Sequence, residues 1–255
     1  MNSGELGRAG EPVVQIPVAL GGEAVVYKRE TIAAIYFGKI TKWNDPAIES
    51  LSRGVRLPDM PIVVVHRSDG SGTTYIFTDF LSSVSGEWKN KIGRGKSVQW
   101  PAPGSVGGKG NEGVAGQVRN VPGSIGYVEL AYARENHMDS AAIENRSHEY
   151  VNCSAETVRV AAASKALVSA SDFSIVDRPG KRAYPIAGYT WAMVYQRGKD
   201  PSRARMVHDA LEWTLSNDGQ RIAASLDYVC TPQGRASRCA RRAQTNEVLR
   251  FLRQP

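Results

Sequence analysis

The stretch VVVHRSDGSGTTYIF, residues 63–77, constrains the fold more than any other part of this chain. Consecutive valines make a short β-branched apolar run that ends at Arg67. Small polar residues and glycines then lead into an aromatic segment with helical spacing. A run this short, bounded by turn residues, reads as a buried strand, and the segment after it as a helix. Strand, tight turn and helix in direct succession form half of a βαβ unit, so the chain is expected to build an α/β fold with mainly parallel pairing.

The rest of the sequence alternates in the same way. VVQIPVALGGEAVVY reads as two short apolar segments split at Gly21-Gly22. RETIAAIYFGKITKW predicts a helix and a turn, and NDPAIESL a second helix opening at Asn44-Asp45-Pro46. TYIFTDFLSSVSGEW continues as a helix with Phe77, Phe80 and Leu81 on one face. SIGYVEL and YTWAMVYQ are further strands, and SRARMVHDALEWTLS is a helix with a glycine stop at Gly219. With 255 residues, the chain has material for one large domain or two modest lobes.

The turn at 68–73 is the place where chemistry is expected. A strand that runs into a glycine-containing turn and a helix presents free backbone N–H groups at the positive end of the helix dipole. A tetrahedral oxyanion suits that position. Ser68, Ser71, Thr73 and Thr74 are candidate hydroxyl donors, and Gly70 and Gly72 let the backbone approach closely. Arg67 can give a bidentate, charge-assisted contact, with Asp69 close enough to hold its guanidinium in one orientation. The alternative from spacing alone is an ordinary N-cap turn beside an incidental surface arginine.

Other chemistries find little support. The net charge of +7 is concentrated at the end: the last 25 residues hold six arginines against one glutamate, leaving about +2 elsewhere. A basic tail without a basic stripe is no nucleic-acid signature. Cys153, Cys230 and Cys239 show no CxxC spacing, and His66, His137, His148 and His208 show no metal-ligand spacing. No metal is expected. Gly108-Lys109-Gly110-Asn111-Glu112-Gly113 fits G-x-G-x-x-G, but WPAPGSVG before it does not read as a strand, so a dinucleotide site is not expected. GRGKS at 93–97 has Asn90 where a Walker A loop needs glycine. His66 is expected to pack or hydrogen-bond near the sheet edge rather than serve a catalytic triad.

HRSDGSGTTYIFTDFLSSVSGEWKNKIGRGKSVQWP and GGKGNEGVAGQVRNVPGSIGYVELAYA resemble the periplasmic phosphate-binding proteins of high-affinity phosphate ABC transporters. IYFGKITKWNDPAI and YPIAGYTWAMVY, followed by LEWTLSNDGQRIAASLDYV, fit the same pattern in the same order, so the likeness covers roughly residues 5–229. It implies a two-lobed class II periplasmic-binding-protein fold with phosphate in the interlobe cleft. The lobes would comprise 1–27 with 184–255, and 28–183. Arg67, Ser71, Gly72 and Thr73 match the family's phosphate-binding positions, and Asp69 the carboxylate that orients the arginine. The resemblance further implies a carrier rather than an enzyme, no cofactor, a membrane permease as partner, and a periplasmic location.

The sequence departs from the family at both ends. A Thr-Phe-Pro loop, a Gly-Ser-rich loop and an FGASD-like run, whose aspartate accepts the proton of hydrogen phosphate, have no counterpart here. The start carries neither a basic n-region nor an apolar h-region, so no signal peptide is expected. An N-terminal truncation with an incomplete first lobe is the expectation, with apolar surface exposed on VVQIPVAL and YTWAMVY. Beyond Tyr228 the ending is altered. Two other readings stay open: a phosphate-ester hydrolase or phosphotransferase using the same loop, and a ligand-free interaction or adhesion protein derived from this fold.

Overall fold

The computed structural model describes residues 6–10, 14–15, 26–51, 57–165, 172–195, 200–226 and 228–229. In chain order the elements are β1 Leu6–Gly10, β2 Val14–Gln15, β3 Val26–Tyr27, α1 Arg29–Phe37, α2 Pro46–Glu49, β4 Val63–Arg67, α3 Gly72–Val84, α4 Gly86–Lys91, β5 Val106–Gly108 and α5 Gly110–Asn120. There follow β6 Ser124–Ile125, β7 Val128–Glu129, α6 Leu130–Glu135, β8 Ala142–Glu144, β9 Tyr150–Val151, α7 Ala155–Ala163, β10 Thr190–Met193, α8 Pro201–Leu215 and α9 Asn217–Ser225. Two compact units emerge, Pro12–Gly188 and Met1–Glu11 with Tyr189–Pro255. The boundaries differ from the 27/28 and 183/184 read from the sequence. Strand pairing explains the first shift: β2 pairs with β7 and β3 with β8, which ties both to the larger unit.

The larger unit is built around β4, the middle strand of a sheet ordered β5-β4-β6 with both pairings parallel. Its valines form the strand for the reason expected: branched side chains suit a pleated surface covered on both faces. Among the described residues the pairing is more mixed than expected, since β1-β10, β2-β7 and β8-β9 are antiparallel. SIGYVEL is not one strand. It breaks at Gly126-Tyr127 into β6, beside β4, and β7, beside β2. A side chain at Gly126 would come within 2.7 Å of Val118 Cγ2, so the absence of a Cβ lets α5 press against the break.

Helix α3 buries Phe77, Phe80 and Leu81 as its spacing foretold. Phe77 lies 4.6 Å from Tyr36 and 4.5 Å from Tyr127, ring centre to ring centre, and Trp100 joins this aromatic core. Each such side chain contributes roughly 1.5–3 kcal/mol by leaving water. The long helix read from TYIFTDFLSSVSGEW is two helices. Ser85 is extended (φ −135°, ψ 112°), ends α3 and caps α4 by accepting Trp88 N–H at 3.1 Å. At the start of α2, Asp45 caps by accepting Ala47 N–H, with Pro46 in the first turn.

In the smaller unit β1 pairs with β10, with an irregularity between Arg8 and Gly10. Helix α8 stops at Ser216, not at Gly219, which lies in the first turn of α9. A Cβ at Gly219 would fall 2.3 Å from Trp213 O, so glycine here serves the tight corner between the helices. Apolar exposure also differs from expectation. Within YTWAMVY the expectation holds at Tyr195, 92% exposed, but not at Tyr189, which is buried. Met206, Val207, Trp213, Ile222 and Leu226, on and beside α8 and α9, add exposed apolar surface that was not expected. VVQIPVAL lies largely outside the described residues, as do Cys230 and Cys239. No described helix is long and apolar enough to cross a membrane.

Candidate functional site

The loop that joins β4 to α3 carries the candidate site. Ser68 N–H donates to Gly108 O at 3.0 Å and Ser71 N–H to Lys96 O at 2.9 Å, which fixes both ends of the loop. Ser71, extended at φ −138°, is the N-cap: its Oγ accepts Thr74 N–H at 3.2 Å. Asp69 holds Arg67 as a fork, with Nε–Oδ1 at 2.8 Å and Nη2–Oδ2 at 2.6 Å. Only 10% of the Arg67 side chain is exposed. Asp69 uses the Nε edge of the guanidinium and Asn111 Oδ1 accepts from Nη1 at 3.5 Å, so one N–H on each of Nη1 and Nη2 is left for a ligand.

Two helix N-termini meet at this arginine, and they differ. At α5, Gly110 N–H donates to Asp69 Oδ1 at 3.0 Å, and the Glu112 carboxylate accepts from its own N–H. Carboxylates of the chain close that end. At α3, Gly72 and Thr73 N–H and the Thr73 hydroxyl have no protein partner among the described residues. Of the four N–H groups orphaned at a helix start, Ser71 N–H goes to Lys96 O and Thr74 N–H to the Ser71 cap, which leaves those of Gly72 and Thr73. The open end of α3 beside a clamped arginine is therefore an arrangement of donors of the kind that suits an oxyanion.

Electrostatics agree with the geometry. The Arg67 fork and the Gly110 N–H hold the Asp69 carboxyl well below the usual range, and Asp69 in turn raises Arg67. Both stay ionised, so the site is a fixed cation with its orienting anion. Gly70 and Gly72 have ordinary φ, and a Cβ on either would meet nothing within 4 Å. Their smallness leaves open space above the loop; it does not serve close packing within the chain.

Some sequence candidates go elsewhere. Thr74 is buried, and its hydroxyl bonds Tyr127 OH at 2.8 Å, so it is no ligand donor. His66 Nδ1–H donates to Arg67 O at 3.0 Å and its ring stacks on Trp100, as a packed histidine would. His208, Asp209 and Glu212 bring their ligand atoms within 4.8 Å of one another on α8, although the histidine spacings showed no ligand pattern. Both carboxylates there are exposed, and the 3.1 Å contact between His208 and Asp209 is an ordinary polar contact.

The G-x-G-x-x-G stretch needs the clearest correction. Strand β5 does precede it, and Gly110 (φ +71°) opens α5. Its place in the site is to supply the Gly110 N–H to Asp69 and to bring Asn111 Oδ1 within 3.5 Å of Arg67 Nη1. The signal was hidden because β5 is only Val-Gly-Gly, and glycine has little strand propensity. Tyr127 was missed for another reason, since nothing near it in sequence points to the loop.

A family model described as PBP superfamily domain matches residues 4–218. The chain belongs to the PBP superfamily. Its α/β architecture is that of the periplasmic binding proteins. It is 44% identical over 246 residues to the phosphate-binding protein PstS of Xylella fastidiosa, covering 91% of this chain and 66% of that one. It is 42% identical over 224 residues to PstS of Pasteurella multocida, covering 87% of this chain and 64% of the relative. The chain thus spans just under two thirds of these relatives' length. Among solved structures, it superimposes with a TM-score of 0.71 on the high-affinity periplasmic phosphate-binding protein PfluDING bound with phosphate, at 23% identity over 91% of this chain and 69% of that one. A putative phosphate ABC transporter substrate-binding protein with bound phosphate from Clostridium perfringens gives 0.62 at 18% identity, covering 89% and 72%. At such identities these structures speak for the fold alone.

Proposed function

We propose that this chain binds inorganic phosphate at the start of α3 and delivers it to the membrane permease of a phosphate ABC transporter. The observation that carries the reading is the pairing of an Asp69-clamped Arg67 with the uncapped N–H groups of Gly72 and Thr73. Phosphate oxygens would accept from the guanidinium, from these N–H groups and from the Thr73 and Ser71 hydroxyls, the Ser71 oxygen also accepting Thr74 N–H as the helix cap. The Arg67 side chain is only 10% exposed and Thr73 is buried, while Gly72 lies at the surface; the low exposure of Arg67 strengthens its charge-assisted bonds. Relatives at 44% and 42% identity are phosphate-binding proteins, which supports phosphate as the anion.

The chain acts as a carrier, not an enzyme, in the periplasm: among the described residues no general base is bonded to the Ser71 or Thr73 hydroxyl to make it a nucleophile. Equilibrium dialysis of the 255-residue chain against labelled phosphate, run beside a phosphatase assay, tests this. Saturable binding without turnover is expected. Turnover of a phosphate ester, or no binding of phosphate, overturns the proposal.

A further inference from the structure

One buried phenol joins the two elements that make the site. Tyr127 OH accepts the backbone N–H of Arg67, the last residue of β4, at 3.1 Å. The same oxygen lies 2.8 Å from Thr74 Oγ1, in the first turn of α3. Tyr127 and Thr74 are both buried. The ring is stacked on Phe77 at 4.5 Å with 22° between planes, and Trp100 lies 5.7 Å away, so the hydroxyl cannot swing aside without disturbing the core. Its place at the break between β6 and β7 aims it across the end of the sheet. The loop from Ser68 to Ser71 is thus bracketed at both ends by one oxygen.

The consequence concerns distance. Arg67 sits on a strand and the open N–H groups sit on a helix, and one tetrahedral anion must touch both. Hydrogen bonds hold only over a narrow range of distance, about 2.7–3.2 Å for N–H···O, so whatever sets the separation of the two donor groups bears on affinity. We propose that Tyr127 is a positioning residue of the anion site, its hydroxyl holding the start of α3 at the separation from Arg67 that a tetrahedral oxyanion requires. This rests on the phosphate reading above. A tyrosine that merely filled the core would contribute through its ring, and the hydroxyl would matter to stability without mattering to binding.

Calorimetric phosphate titrations and thermal melts of the full chain decide the matter. The set is wild type, Tyr127→Phe, Thr74→Val, Thr74→Ser and the Tyr127→Phe/Thr74→Val double variant. Tyr127→Phe and Thr74→Val should each weaken phosphate binding about tenfold with cooperative melts retained. Thr74→Ser, which keeps the hydroxyl, should bind like wild type, and the double variant should be little worse than either single one. Wild-type affinity in Tyr127→Phe with a lowered melting temperature would make the residue purely structural and overturn the proposal. So would equal losses in Thr74→Ser and Thr74→Val, since a methyl and not a hydroxyl would then matter. If Tyr127→Phe does not fold, the two Thr74 variants carry the decision. Failure of wild type to bind phosphate overturns the proposed function itself, and this positioning role with it.

Discussion

Arg67 and Asp69 face one another two residues apart as a parallel fork, Nε to Oδ1 at 2.8 Å and Nη2 to Oδ2 at 2.6 Å. The pairing fixes which edge of the guanidinium meets a ligand. Arg67→Ala should therefore weaken phosphate binding by at least about 2 kcal/mol, because a charge-assisted donor set is lost. Arg67→Lys should recover little, since a single ammonium cannot both satisfy Asp69 and reach the anion. Dialysis of the two variants checks this, and a lysine variant that binds like wild type would remove the fork from the account.

Asp69 also governs acid stability. Its folded-state pKa lies below the unfolded value, so its contribution is present above roughly pH 4 and is lost as pH falls below that. Wild type should lose stability over that acid limb. Asp69→Asn, with no charge to titrate, should be less stable near neutrality and show a shallower acid loss. Denaturant midpoints of both proteins between pH 2 and 6 measure the difference; parallel curves would contradict the assignment.

Selectivity follows from the same bonds. Asp69 Oδ1 accepts from Arg67 and Gly110 and Oδ2 from Arg67, so this carboxylate has little capacity to take a proton offered by hydrogen phosphate. Arg67 and the Gly72 and Thr73 N–H groups offer only donors, and the neutral Thr73 hydroxyl can donate to either anion, so the set suits any tetrahedral dianion. Sulfate should compete with phosphate on comparable terms at pH 8. A strong preference for phosphate in competition titrations would require a stronger acceptor than the Thr73 hydroxyl.

Gly72→Ala separates folding from binding. The residue has ordinary φ and open space where a Cβ would stand, and alanine favours a helix by up to about 1 kcal/mol over glycine. Its melting temperature should be unchanged or higher, while the new methyl group occupies the space above the loop and phosphate binding falls. Undiminished binding would place the anion elsewhere.

Gly108→Ala should behave in the opposite way. A Cβ there would lie 2.5 Å from both Gly113 C and Val114 N, backbone atoms that cannot give way. The variant should lose about 2 kcal/mol or more as β5 and α5 are forced apart. A chemical denaturation curve matching wild type would show that this crossing is looser than it looks.

What the sequence by itself determined lies within short windows. The valines of β4, the Ser71 cap, the apolar face of α3 and the Arg67–Asp69 pair each depend on residues a few positions apart. Backbone geometry and propensity act at that range, and YTWAMVYQ and SRARMVHDALEWTLS were legible for the same reason. Tertiary structure alone decided what crosses longer separations. Gly110 reaches Asp69 over 41 positions and Tyr127 reaches Arg67 over 60, and no local pattern encodes either contact. Burial likewise turned Thr74 from a candidate ligand donor into a partner of Tyr127, because a first-turn side chain faces whatever the neighbouring strands place beside it. Strand β5 became a strand only because β4 offered it a hydrogen-bonding edge; its own two glycines carry almost no preference for that conformation.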